Sequence, residues 1–399
     1  MAPATEPQAH DRPQRHHESR QARVRLLRRS DRLDTMRDIT LANDTVDNCR
    51  YCLMCRHVCP VGHVTRLETL TPHGWGLTIA SQRRGMAEWN EENAEVMFQC
   101  ADCGTCRANC VTDQPFPDTI ARVREELVGL DLAPKRVRET ADRLRNWGNP
   151  YEEREPTTGA GSGDTALFVG DEAAYIGSDG LAAAKRLLTA AGIDPVAVGH
   201  GRSNGYLPSS LGYADIAADI ANANLAEVRA TGAKRVIVLS PGDHYAFTTL
   251  YADRLDIEWP SDVEVVELVS VLDSSESVSF SAEKDARPYA YVDPAHSVRL
   301  PERHETPRAL VSRVMDGPAR ELFWRKERAH PVGSTALQFT DPDLANHLTW
   351  ARLGDAKQAG VGVLVTEDAG TLSHLGAHAS RFGIAVQGLY ELLADRLDG

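Results

Sequence analysis

All eight cysteines of the chain fall in two runs of identical spacing. NCRYCLMCRHVCP supplies Cys49, Cys52, Cys55 and Cys59, followed at once by Pro60; QCADCGTCRANC supplies Cys100, Cys103, Cys106 and Cys110. Both read C-x2-C-x2-C-x3-C. Three thiolates on one tight loop reach three iron corners of a cubane, whereas the fourth, set off by the longer gap, is directed to a second cluster. The spacing therefore predicts two 4Fe-4S clusters with crossed ligation: Cys49, Cys52, Cys55 and Cys110 on the first, Cys100, Cys103, Cys106 and Cys59 on the second. Zinc ribbons also use paired C-x2-C, but they need only four sulfurs per ion and do not call for two such runs. With every cysteine placed in this way, a disulfide framework is not expected and a reducing, intracellular setting is.

The charges beside the cysteines bear on the order of reduction. A four-thiolate cluster gains negative charge when reduced, so nearby cations raise its potential. Arg50, Arg56 and His57 lie in the first motif, whereas Arg107 is set against Asp102 in the second. On this count the first cluster has the higher potential and receives electrons from the second, unless these side chains point into water and are screened.

The elements that must hold these loops follow from periodicity. At 399 residues the chain has room for two or three domains. Residues 1–38 are rich in Pro, His and Arg and read as a flexible basic arm, with Met36 as an alternative start. Residues 39–150 are helical in pattern. GWGLTIASQRRGMAEWNEENAEVMFQC divides into two short helices at Gly85, and DTIARVREELVGL and APKRVRETADRLRNW read as amphipathic helices. Residues 151–164 have the Pro, Gly and Ser content of a linker. Beyond them, apolar runs such as TALFVG, PVAVG and RVIVLS alternate with helical stretches, a pattern that recurs after residue 285. This alternation predicts parallel sheets covered by helices, in one α/β lobe over 165–285 and a second, related by duplication, over 286–399. The fold class expected is α+β and multidomain, an all-α ferredoxin unit followed by two α/β lobes.

Several functions are excluded. A net charge of -13 disfavours nucleic acid as a partner. Apolar runs are strand-sized, well short of the roughly 18 residues of a membrane span, and Arg28-Arg29 is followed by no apolar region of an export signal. A cytoplasmic protein follows, reaching the inner face of a membrane only through a partner. GAGSGD lacks the Lys and Ser/Thr of a phosphate loop and precedes a strand instead of following one, so neither a phosphate loop nor a dinucleotide fingerprint is present. No nucleophile or flavin motif is visible, and substrate chemistry is assigned to another chain.

NCRYCLMCRHVCP, the helical spacer and QCADCGTCRANC resemble the helical dicluster ferredoxin domain of the iron-sulfur subunits of glycolate oxidase, anaerobic glycerol-3-phosphate dehydrogenase and heterodisulfide reductase. Val111 stands where that family has Pro after its last cysteine. The resemblance implies two cysteine-rich α/β repeats after the ferredoxin unit, and here their phrases persist without cysteine. SNGYLPSSLG places Ser203 and Asn204 at sulfur positions, LSPGDHYAF places Asp243, and YVDPAHSVR places Ala295 while keeping His296 and Arg299. PVGSTALQ and LVTEDAGTL leave Val332, Asp368 and Thr371 in such positions. Cluster-based disulfide chemistry needs thiolates, so these lobes are read as packing and docking surface. Rival readings are a hard-ligand metal site of Asp243, His244, His296 and Asp368, and a zinc pair of His374 and His378. The function implied is an electron-transfer subunit that accepts electrons from a flavoprotein dehydrogenase and passes them singly to a carrier or quinone, with no catalysis of its own on substrate. The alternative is a scaffold or redox sensor with structural clusters.

Overall fold

Proline, glycine and short polar caps set the helix boundaries of the cysteine-bearing region. The computed structural model describes residues 35–153 and 161–398; the basic arm up to residue 34 and half of the proposed linker lie outside the described residues. The first helix, Thr35–Asn48, starts within the stretch read as the end of the arm. In Pro72–Arg83, Thr71 caps the Gly74 N–H and Pro72 occupies the first turn, where a missing N–H costs nothing. The chain leaves this helix and reverses at Gly85, with φ +69°, and Glu91–Phe98 begins on a capping box of Asn90 and Asn93. Phe116–Gly129 and Lys135–Trp147 complete the set, the latter stopped by Gly148 in the left-handed conformation. Every element described between Thr35 and Trp147 is helical, and these helices bury Trp75, Ile79, Met97, Ile120 and Leu127 between them.

The rest of the described chain carries two small parallel sheets. In the first, β1 (Thr165–Val169), β2 (Val196–His200), β3 (Arg235–Val238) and β4 (Glu264–Glu267) lie in the order β2-β1-β3-β4. The second, β5 (Tyr289–Tyr291), β6 (Val363–Thr366) and β7 (Ala385–Gly388), runs β5-β6-β7. Parallel strands need crossovers, and Ser178–Ala190, Ala214–Thr231 and Pro342–Gln358 are helices that provide them. The protein is thus α+β. Matching devices recur in the two halves. Gly205 and Gly333 are both left-handed, and each lies so close to the following long helix, at the carbonyls of Ala217 and Ala345, that a Cβ would stand 3.2 and 2.5 Å from them.

The two sheets share one core. Leu167, Leu181, Ile237 and Leu268 pack in the same cluster as Tyr289, Leu310, Val363 and Leu389. A buried ion group spans the halves as well: Arg303 donates to both Glu267 oxygens at 2.9 Å and to Glu367, and Tyr291 donates to Glu367. The helical unit joins them through Leu211, Ala336, Leu337 and Leu344, which pack with Trp75 and Phe98. Among the described residues no helix is long and apolar enough to cross a membrane.

Candidate metal centre

The two cysteine motifs fold into the same loop. Tyr51 and Leu53 have φ of 50° and 67°, and their counterparts Asp102 and Gly104 have 48° and 86°. Left-handed residues two and four positions after the first cysteine turn the backbone N–H groups inward, toward sulfur. Tyr51 N–H thus donates to Cys49 Sγ and Asp102 N–H to Cys100 Sγ, each at 3.4 Å. The loops diverge at the fourth cysteine. Cys59 caps the helix Pro60–Thr65 and accepts from Gly62 N–H, with Pro60 in the first turn. After Cys110, where Val111 replaces Pro, no such helix starts, and Cys110 Sγ accepts instead from Gln114 N–H.

Cys49, Cys52, Cys55 and Cys110 line one cavity, together with Cys106 of the second motif. Burial, then Cys49, Cys110 and Cys52, push the Cys55 thiol up to about 11. Cys59 is raised by burial above all, and the thiols that press on it are Cys103 and Cys100, not those of its own motif. Cys106 is raised by burial and by Cys103, Cys100, Cys59 and Cys55 in turn. The structure therefore brings Cys110 to the first motif and Cys59 to the second, and sets the two groups side by side. No three His, Cys, Asp or Glu side chains among the described residues converge as they would on a single ion. Four thiols spread around a cavity, with N–H donors on their sulfurs, suit a cubane, in which each thiolate holds its own iron. Their burial differs: Cys59, Cys100 and Cys103 are buried, whereas Cys52 is exposed.

The surroundings add charges that a count along the sequence leaves out. Arg56, on the first motif, is half exposed and paired with Glu68, and Arg50 is exposed. Beside the second motif stand three buried guanidiniums from outside it. Arg124 donates to the carbonyls of Cys100 and Met97, at 2.7 and 2.9 Å. Arg299 donates to the carbonyl and carboxylate of Asp102, both at 2.7 Å, and Arg254 pairs with Asp102 and Asp118. Local sequence sees only Asp102 and Arg107; folding adds buried cations from remote elements, two of them paired with Asp102. Arg299 was visible as part of the retained PAHSVR phrase, but Arg124 and Arg254 carry no local signal.

Most of the positions that the resemblance compares with cysteine come together. Ser203, Asn204, Asp243, Ala295, His296 and Asp368 line one cleft between the halves, with a cavity volume of about 110 Å³. Val332 and Thr371 do not line it: Val332 is in an apolar core, and Thr371 N–H donates to Asp368. Asn204 donates to Asp243 at 2.8 Å. Burial pushes Asp171 up to about 7 and Asp243 up to about 6, and Glu172 and Asp368 are raised by the same cause. His244 lies outside the lining, so the four residues of the rival metal site are not gathered. His374 and His378 bond separately, to Thr349 and Asn346.

The family model of the 4Fe-4S dicluster domain matches residues 9–113, the span that contains both motifs. This is an iron-sulfur protein. None of the curated proteins matches the chain. Among solved structures, a hypothetical protein from Helicobacter pylori is similar at 11% identity with a TM-score of 0.60, over 84% of this chain and 70% of that one, a likeness of fold.

Proposed function

We propose that this iron-sulfur protein is an electron-relay subunit with two 4Fe-4S clusters, which takes electrons from a partner flavoprotein dehydrogenase and passes them singly to a carrier or quinone. When bound, such clusters accept and release one electron at a time, and the protein supplies burial, spacing and hydrogen bonds to sulfur. The single observation behind the reading is the exchange of Cys59 and Cys110 between two four-thiol groups that lie side by side. The exposed group is the entry point: Tyr51, Met54 and Val111, all exposed, flank Cys52 and Cys110 in sequence and offer an apolar patch for the donor. The buried group, ringed by Arg124, Arg254 and Arg299, is the acceptor. Electrons run from the first cluster to the second, the reverse of the order expected from the motifs alone. The lobes, in the manner of the heterodisulfide reductase family but without its thiols, are the frame that buries the second cluster.

Anaerobically purified protein should contain close to eight irons and eight acid-labile sulfides per chain, as two cubanes demand. Cys59→Ser should damage the cluster whose other ligands lie in the second motif. Zinc in place of iron and sulfide, or damage confined to the first cluster, would refute the assignment. Copurification with a flavoprotein whose substrate reduces both clusters is expected; clusters that dithionite reduces but no partner does would make the chain a scaffold.

A further inference from the structure

A second cavity begins one residue beyond Cys59. It has a volume of about 280 Å³ and is lined by Pro60, His63, Trp324, His330, Leu348 and Arg352, among others. His330 binds it to the second thiol group, its Nε2 lying 2.9 Å from the carbonyl oxygen of Val58. Trp324 stacks on His330 at 3.9 Å, and His63 meets Trp324 edge-on at 4.8 Å, so three packed aromatic rings line the cavity.

Arg352 is the polar group that these rings leave unanswered. It is 3% exposed, its Nη2 is paired with Asp355, and its buried Nη1 has no hydrogen-bond partner. A buried donor without an acceptor costs about 1 to 3 kcal/mol, and more when charged, so a cavity that keeps one is suited to a ligand that brings an oxygen. The pairing with Asp355 decides the kind of oxygen. With its charge already balanced, Arg352 offers one N–H to a neutral carbonyl rather than a bidentate fork to a carboxylate.

We propose that this cavity receives the head group of a quinone, with a carbonyl oxygen on Arg352 Nη1 and the ring against Trp324 and His63. The inference rests on the relay reading, because it makes the cavity beside Cys59 the place where electrons leave. The flanking residues suit an apolar tail. Leu67 follows the lining residue Arg66, Phe323 precedes Trp324, and these two large apolar side chains are 54% and 60% exposed. Arg328 lies over the Phe323 ring at 5.0 Å, which puts a cation beside this apolar surface.

The test is titration of the anaerobic, cluster-loaded full chain with a short-chain ubiquinone, read by tryptophan fluorescence, with iron and sulfide measured on the same sample. Quenching should saturate and be largely lost in Trp324→Phe. Arg352→Gln should weaken binding about tenfold or more, the loss of a hydrogen bond to a charged group. Should that variant not fold, Ala351→Trp, which fills the cavity from a half-buried position, should abolish binding with the iron content unchanged. Absence of saturable quenching in a fully loaded sample overturns the inference and leaves the relay reading standing. Tighter binding of benzoate than of the quinone overturns it in favour of a carboxylate site. Saturable, Arg352-dependent binding in a chain that never takes up iron would uphold the site and sink the relay.

Discussion

Arg299 joins three regions of the molecule at one guanidinium. It grips Asp102 in the second cysteine loop, lies 4.8 Å from the centre of the Tyr245 ring, and passes close over Gly104, where a Cβ would stand 3.1 Å from its Cγ. That crowding, with φ at +86°, explains why glycine occupies a position that Leu53 fills in the first loop. Water does not screen a buried cation well, so Arg299 should weigh more on cluster potential than any surface arginine. In a redox titration followed by electron paramagnetic resonance, Arg299→Gln is expected to lower the potential of the first cluster to be reduced. Arg56→Gln should leave both potentials nearly unchanged, because Arg56 is half in water and balanced by Glu68. An equal shift from the two substitutions would return the question to the charges of the motifs themselves. The two cysteine loops were legible, since their spacing is the same and the structure gives both the same left-handed turns. Their electrostatic setting was not, because Arg124, Arg254 and Arg299 come from 24, 152 and 197 positions away in the chain.

At the scale of elements, the apolar runs read as strands are the seven strands, and Gly85 does separate a pair of helices, because alternation and breakers act locally. What periodicity could not show is that the two sheets pack on a common core. Arg303 illustrates the difference: nothing in PERHETPR announces a residue that holds β4 and the chain after β6 together. Its removal strands two buried carboxylates, so Arg303→Met should destabilise the fold by about 3 to 5 kcal/mol, read from urea midpoints at constant m. The acidic cleft acts oppositely with pH. Asp171 is raised from 3.8 to about 7 by burial and then by Asp243, and near it stand Glu172 and Tyr151. In that interval the native chain holds a proton that the unfolded chain has released, so stability falls as pH rises from about 4 and the loss is complete above about 7. Urea midpoints should therefore decline between about pH 5 and about pH 8, and Asp171→Asn should flatten the decline. A slope identical in the variant would remove Asp171 from the account.

Across the whole molecule, the thiols lie along a gradient of burial. It runs from an exposed thiol at Cys52 through the buried group around Cys59 to the cavity at Pro60, and the lobes supply Arg254, Arg299 and part of that cavity's lining. The sequence could be divided into regions at glycine and proline, yet those regions interlock: Thr105 donates to the carbonyl of Ala329, and Tyr206 to that of Asp102. Such long-range contacts leave no trace in local composition. The exposure of Cys52 has a last consequence, for the life of the protein in air. Dioxygen and peroxide attack an iron-sulfur centre at the corner they can touch, and the first group presents the more exposed corner, at Cys52. Exposure to air should bleach the visible absorbance in two phases, a fast one from the outer centre and a slow one from the inner. During the interval between them the molecule would keep its exit intact while having lost its entrance, a half-working state that oxygen alone creates.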